Sequence, residues 1–165
     1  MTRQLLFMLS QPQLAWFAQQ LEAAEAGDGA AACHLGDCYR IGKPLPANPR
    51  RAYRWYVRGA LAGDANAMNN LGACYHNAFG CQKDMKQAIH WYTRGANLGS
   101  EDAQENLGRC YLKGDGVPAN QRQAIFWLRK AAKSGHDRAI KTLADMDVEI
   151  YTAGDDYAIK VDDVD

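Results

Sequence analysis

Four leucines spaced 36 residues apart, Leu35, Leu71, Leu107 and Leu143, constrain this chain more than any other feature, because the residues around them recur in the same register without an insertion. Behind them run Gly36, Gly72, Gly108 and Ala144, then Cys38, Cys74 and Cys110, then Tyr39, Tyr75 and Tyr111. Later in each unit come Ala52, Ala88 and Ala124, and Trp55, Trp91 and Trp127. A period of this length points to stacked helical hairpins, in which each unit buries its apolar face only against its neighbours.

One unit reads as two helices. Asp28, Asp64 and Ser100 each follow a glycine, so glycine closes the preceding helix and Asp or Ser caps the next. That first helix carries apolar residues at helical spacing, as in Ala67, Leu71, Cys74 and Tyr75, and ends near Gly42, Ala78 or Gly114. The second helix starts from Asn48, Asp84 or Asn120, with Pro49 in a first turn, where its missing N–H has no helical partner to lose. The small Gly36 and Ala52 are expected to let the paired helices approach closely.

The predicted organisation is an N-terminal segment and capping helix over 1–27, full repeats over 28–63, 64–99 and 100–135, a capping helix over 136–150, and an acidic tail over 151–165. Residues 12–26 align with a second helix. Residues 136–149 align with a first helix whose tyrosine has become Asp147. In the tail, five aspartates oppose one lysine, and Tyr157, Ile159 and Val161 alternate among them. The composition reads either as a frayed acidic terminus or as a segment that docks against the solenoid or a second copy through Tyr157 and Ile159, with its aspartates on groove cations such as Arg109, Arg138 or Lys141.

Nineteen basic and nineteen acidic residues cancel, which removes the strongly basic signature of a nucleic-acid binder. Leu5–Leu9 is shorter than a usual signal-peptide core and is followed by no convincing cleavage site, so the expected compartment is the cytoplasm. No stretch approaches the roughly 20 apolar residues that span a bilayer. Cys38, Cys74 and Cys110 share one apolar column and read as small hydrophobes with reduced thiols. Cys33, His34 and Cys38 invite a metal reading, but a structural zinc site has four ligands and no fourth is evident. No cofactor is expected. The absence of a nucleophile elbow, phosphate loop or paired-histidine motif argues against an enzyme.

The chain resembles the Sel-one-like repeat (SLR) family, 36-residue relatives of the tetratricopeptide repeat, most clearly in Ala103, Asn106-Leu107-Gly108, Tyr111, Gly114-Asp115-Gly116-Val117, Ala124, Trp127 and Lys130–Gly135. The resemblance covers roughly residues 12–149 and implies an all-α, right-handed α-solenoid of stacked antiparallel helix pairs with capping helices. It implies a non-enzymatic adaptor or scaffold that binds a partner protein or peptide in a concave groove lined by first helices. It also leaves open an inhibitor that blocks a partner enzyme, as in immunity proteins similar to this family. Some cysteine-rich relatives staple a second helix to the next first helix with disulfides, but the matching pairs here are Ala60 with Met68 and Ala96 with Gln104. The loops at Gly42–Leu45 and Ala78–Cys81 also depart from the family pattern.

On that fold, first-helix positions opposite the Leu and Tyr stripe face the groove. They are Cys33, Asp37 and Arg40 in the first unit; Asn66, Asn69, Asn70, Ala73 and His76 in the second; Asp102, Glu105, Asn106, Arg109 and Leu112 in the third; and Arg138 and Lys141 in the cap. Asn70 and Asn106 match a position that often holds peptide backbone in tetratricopeptide domains; alternatively, each bonds its neighbouring helix. Two cationic columns, Arg50/Lys86/Arg122 and Arg58/Arg94/Lys130, line the second helices and read as a solvated outer face.

Overall fold

The computed structural model describes residues 12–150, which hold eight α-helices and no strand. α1 (Pro12–Glu25) leads into three pairs: α2 (Gly29–Ile41) with α3 (Pro49–Leu61), α4 (Ala65–Asn77) with α5 (Met85–Asn97), and α6 (Glu101–Lys113) with α7 (Gln121–Lys133). α8 (Asp137–Asp145) covers the far end. Each first helix packs on its own second helix, and each second helix packs on the next first helix. First helices of successive repeats also touch, α2 with α4 and α4 with α6, so they form one continuous row. Among the described residues, no helix is long and apolar enough to cross a membrane.

The helix starts fall on the expected caps. The side chains of Asp28, Asp64 and Ser100 accept from the N–H of Ala31, Ala67 and Ala103, and those of Asn48, Asp84 and Asn120 accept from Arg51, Gln87 and Gln123. Each such cap contributes about 1 kcal/mol. The first helices end in left-handed residues at Gly42, Ala78 and Gly114, with φ of 84°, 56° and 75°. In every loop the tyrosine carbonyl of the first helix accepts from the cap of the second: Asn48 N to Tyr39 O, Asp84 N to Tyr75 O, Asn120 N to Tyr111 O.

The divergent loop sequences have unequal consequences. Ala78 and Gly80 take left-handed φ values of 56° and 75°, matching Gly114 and Gly116 at 75° and 78°, so the second loop keeps the shape of the third despite its composition. The first loop differs: only Gly42 is left-handed there, and the Lys43–Pro44 peptide is cis.

Three core clusters follow one another along the axis. Leu35, Leu71, Leu107 and Leu143 are at most 1% exposed, and Ala52, Ala88 and Ala124 are fully buried. In the first two repeats the glycine makes room for an aromatic ring. A Cβ on Gly36 would lie 2.4 Å from Cε1 of Tyr56, and one on Gly72 would lie 2.6 Å from Cδ1 of Tyr92. In the third repeat the glycine meets both Leu128 and the Ala124 carbonyl, at 2.8 and 3.2 Å from an added Cβ on Gly108. All five cysteines are unpaired. Gln104 Nε2 donates to the Ala96 carbonyl at 3.2 Å, and Met68 and Ala60 are both buried in the first cluster.

Candidate functional site in the first-helix groove

The row of first helices carries a concave, predominantly polar depression of about 340 Å³, lined by Ala30, Cys33, His34, Asp37, Arg40, Asp64, Asn66, Asn69, Asn70 and Asp102. It brings together Asp37, Arg40, Asn66, Asn69 and Asn70 from the predicted groove set, with Cys33 and Asp102. Asp64 joins them because the same carboxylate that caps α4 also faces this surface.

At one end, Asp37 and Arg40 share a helical turn and a 2.9 Å ion pair. The buried Tyr56 hydroxyl donates to Asp37 Oδ1 at 2.8 Å and accepts from Arg40 Nε at 3.1 Å. Burial, followed by the Asp37 charge, pushes the Tyr56 phenol well above its ordinary value, so the hydroxyl keeps its proton and remains a donor. The Asp37 hydrogen bond likewise holds Arg40 above its usual value. Tyr56 lies on α3 and reaches this cluster past Gly36, which has no side chain to block the ring. Reading the first helices alone misses it. The signal was the constant 20-residue separation of Gly36 from Tyr56 and Gly72 from Tyr92.

The floor is an amide relay. Asn106 Nδ2 donates to Asn69 Oδ1 at 2.9 Å, Asn69 Nδ2 to Asn70 Oδ1 at 3.4 Å, and Asn70 Nδ2 to Cys33 Sγ at 3.5 Å. Asn70 and Asn106 thus tie their own first helix to the preceding one, while each amide retains further donor and acceptor capacity. Asn69 is only 7% exposed, so it forms floor rather than rim. Burial, with Asp37 and Asp64 nearby, pushes the Cys33 thiol up to about 12. Burial therefore favours the neutral thiol over the nucleophilic thiolate. His34 turns to Gln20, with Nδ1 and Oε1 2.9 Å apart, and its ring lies 5.9 Å from that of Trp16.

The third repeat holds a separate cluster. Glu105 is 1% exposed, with Arg138 Nη2 at 3.2 Å and Arg109 Nε at 3.6 Å from its Oε1. Both distances suit ion pairing, although neither has hydrogen-bond geometry. The two arginines project outward as a lid over the buried carboxylate, being 63% and 36% exposed. Nearby, His136 Nε2 lies 3.1 Å from Asp102 Oδ1.

The remaining predicted positions stand apart from these clusters. His76 stacks edge-on to Tyr92, and burial lowers its pKa. Ala73 packs against the second core cluster, Leu112 is half-buried, and Lys141 is exposed on α8. The expected docking of residues 151–165 lies outside the described residues.

No curated protein matches the sequence. Solved structures do match. A Sel1 repeat protein from Oxalobacter formigenes is 31% identical with a TM-score of 0.73, over 79% of this chain and 53% of that one. A protective antigen present in uropathogenic Escherichia coli strains, displaying an SLR fold, is 33% identical with a TM-score of 0.73, over 81% of this chain and 28% of that one. The chain therefore spans about half and just over a quarter of these two relatives. Cysteine-rich protein B of Helicobacter pylori shares the fold at 23% identity and a TM-score of 0.61, over 77% of this chain and 96% of that one. The Sel1 repeat pattern itself matches residues 29–64, 65–100 and 101–136, so this chain belongs to the Sel1 repeat family.

Proposed function

We propose that this chain is a non-enzymatic adaptor that captures a segment of a partner protein in the first-helix groove. The observation that carries the reading is the polar depression around Asp37, Arg40, Asn66 and Asn70, in which Tyr56 holds Asp37 and Arg40, the asparagine relay holds Asn70, and the Ser100 hydroxyl donates to Asn66 Oδ1 at 3.3 Å. Side chains fixed before binding lose less rotamer freedom when a ligand arrives, so a preorganised polar surface supports affinity as well as specificity. Donors and acceptors alternate along the relay, which suits the alternating N–H and C=O of an extended peptide. Family membership supports the same role.

The test is selection of binders from a random peptide-display library on the full chain, followed by affinity measurement on variants. Asn66→Ala combined with Asn70→Ala is expected to weaken a selected peptide at least about tenfold, the loss of one or two hydrogen bonds. Arg58→Glu with Arg94→Glu, on the second helices, is expected to leave it unchanged. The reverse pattern would remove the groove from consideration.

A further inference from the structure

The second helices follow a different rule from the groove. Their outward faces carry residues at i, i+4 and i+8: Arg50, Arg54 and Arg58 on α3; Lys86, His90 and Arg94 on α5; Arg122, the half-buried Phe126, whose ring lies 4.9 Å from Lys130 Nζ, and Lys130 on α7. Four Lys and Arg on α3, two on α5 and four on α7 make ten, and these three helices contain no Asp or Glu.

Local packing accounts for the last column only. Arg58, Arg94 and Lys130 lie 4.7, 4.8 and 5.1 Å from the ring centroids of Trp55, Trp91 and Trp127, and they sit in last turns, where the helix dipole favours a cation. Arg50, Lys86 and Arg122 occupy first turns, where the dipole opposes positive charge. Arg50 and Arg54 form a like-charged i,i+4 pair, which also disfavours the helix. Among the described residues, no carboxylate lies within ion-pair distance of Arg50, Arg54, Lys86 or Arg122. Helix stability thus gives no reason for these cations.

The opposite charge is in the sequence that follows Ile150. Residues 151–165 hold five aspartates and one lysine, a net charge of −4 in a chain whose formal total is zero, so residues 1–150 carry +4. The chain is also delivered to this face. Val148 and Ile150 pack with Ile125 over the third core cluster, and Arg129 Nε donates to the Glu149 carbonyl at 2.8 Å, so the backbone leaves alongside α7. The groove cations Arg109 and Arg138 already share Glu105.

We propose that residues 151–165 dock across the exposed faces of α7 and α5 toward α3 in the same molecule, pairing their aspartates with Arg122, Lys86 and Arg50 and setting an aromatic side chain against Phe126. Fifteen residues reach at most about 50 Å when extended, against about 8–10 Å between packed helices. The face is then an acidic-segment receptor with its occupant built in, and external polyanions compete with that occupant. This inference stands independently of the groove reading.

The test uses the full chain and a variant with Asp155→Asn, Asp156→Asn, Asp162→Asn and Asp163→Asn, compared by backbone amide NMR at low salt. Expected shifts fall on Arg50, Lys86, His90, Arg122 and Phe126, are independent of protein concentration, and vanish in 0.5 M salt, about a 4 Å screening length. Heparin, a polyanion probe, is expected to bind the variant at least about tenfold more tightly than the native chain at low salt, since it no longer displaces an occupant. Shifts confined to 151–165, shifts on the Asn66–Asn70 row, or shifts that grow with concentration and so report a second copy would each overturn the proposal. Equal heparin affinity for both proteins would overturn it as well, by leaving the face open to external polyanions.

Discussion

The first and third repeats are built on the same 36-residue frame, yet they solve the polar side of that frame in opposite ways. In the first, position 56 is a tyrosine whose hydroxyl holds Asp37 and Arg40 from below, leaving those charged groups at the surface. In the third, the equivalent position is Leu128, which has no hydrogen-bonding group, and the charge instead sits at Glu105, buried under Arg109 and Arg138. The apolar columns are the same in both because packing between identical neighbours admits few alternatives. The groove columns, which need satisfy only their local partners, are free to differ: Cys33, Asn69, Glu105 at one position and Asp37, Ala73, Arg109 at another. One end of the groove is therefore held by a neutral hydroxyl and the other by a buried carboxylate.

The largest effect should come from uncovering that carboxylate. Arg109→Ala with Arg138→Ala strips both counter-charges from Glu105 and should cost about 3 kcal/mol, the low end for a broken buried pair because water reaches the bared carboxylate. Glu105→Gln leaves only half-exposed or exposed cations behind and should cost far less. Urea unfolding of the two proteins checks the asymmetry, and similar midpoints would mean that Glu105 is not held as a buried ion.

The glycine positions sharpen the contrast through rigidity. An added Cβ meets the flat Tyr56 ring at 2.4 Å in the first repeat but Leu128 Cγ at 2.8 Å in the third. Gly36→Ala should be net destabilising by about 1–3 kcal/mol, the range for overpacking. Gly108→Ala should lose less, because a branched aliphatic side chain rearranges more easily and alanine favours the helix by up to about 1 kcal/mol. Equal losses in thermal melts would show that ring rigidity is irrelevant.

A smaller difference separates the two tyrosines. Tyr56→Phe removes a donor to Asp37 and an acceptor from Arg40, and should cost about 1–2 kcal/mol. Tyr92 has no equivalent carboxylate, since Ala73 stands where Asp37 does, and Tyr92→Phe should change stability by less than about 0.5 kcal/mol. Stability curves that order the variants otherwise would detach the Asp37 cluster from the fold.

How far the sequence reached differs by element. The caps at Asp28, Asn48, Asp64, Asp84, Ser100 and Asn120 were legible because a capping side chain bonds a backbone N–H only three residues away. Helical phase likewise gathered Asp37, Arg40, Asn66 and Asn70 onto one surface, since phase is a local property. It did not distinguish rim from floor. Asn69 and Glu105 occupy the same column and are both buried, and their cover comes from side chains that belong to other turns or other helices.

The 36-residue period by itself determined the all-helical class, the helix pairing and the apolar columns, because each repeat must bury the same face against the same kind of neighbour. Tertiary structure alone decided that Tyr56 reaches the groove past Gly36, that Asn70 reaches back to Cys33, and that the backbone leaves Ile150 beside α7. Those contacts join residues 20 or more positions apart, where periodicity fixes which face a side chain takes but not how far it extends or what it meets there.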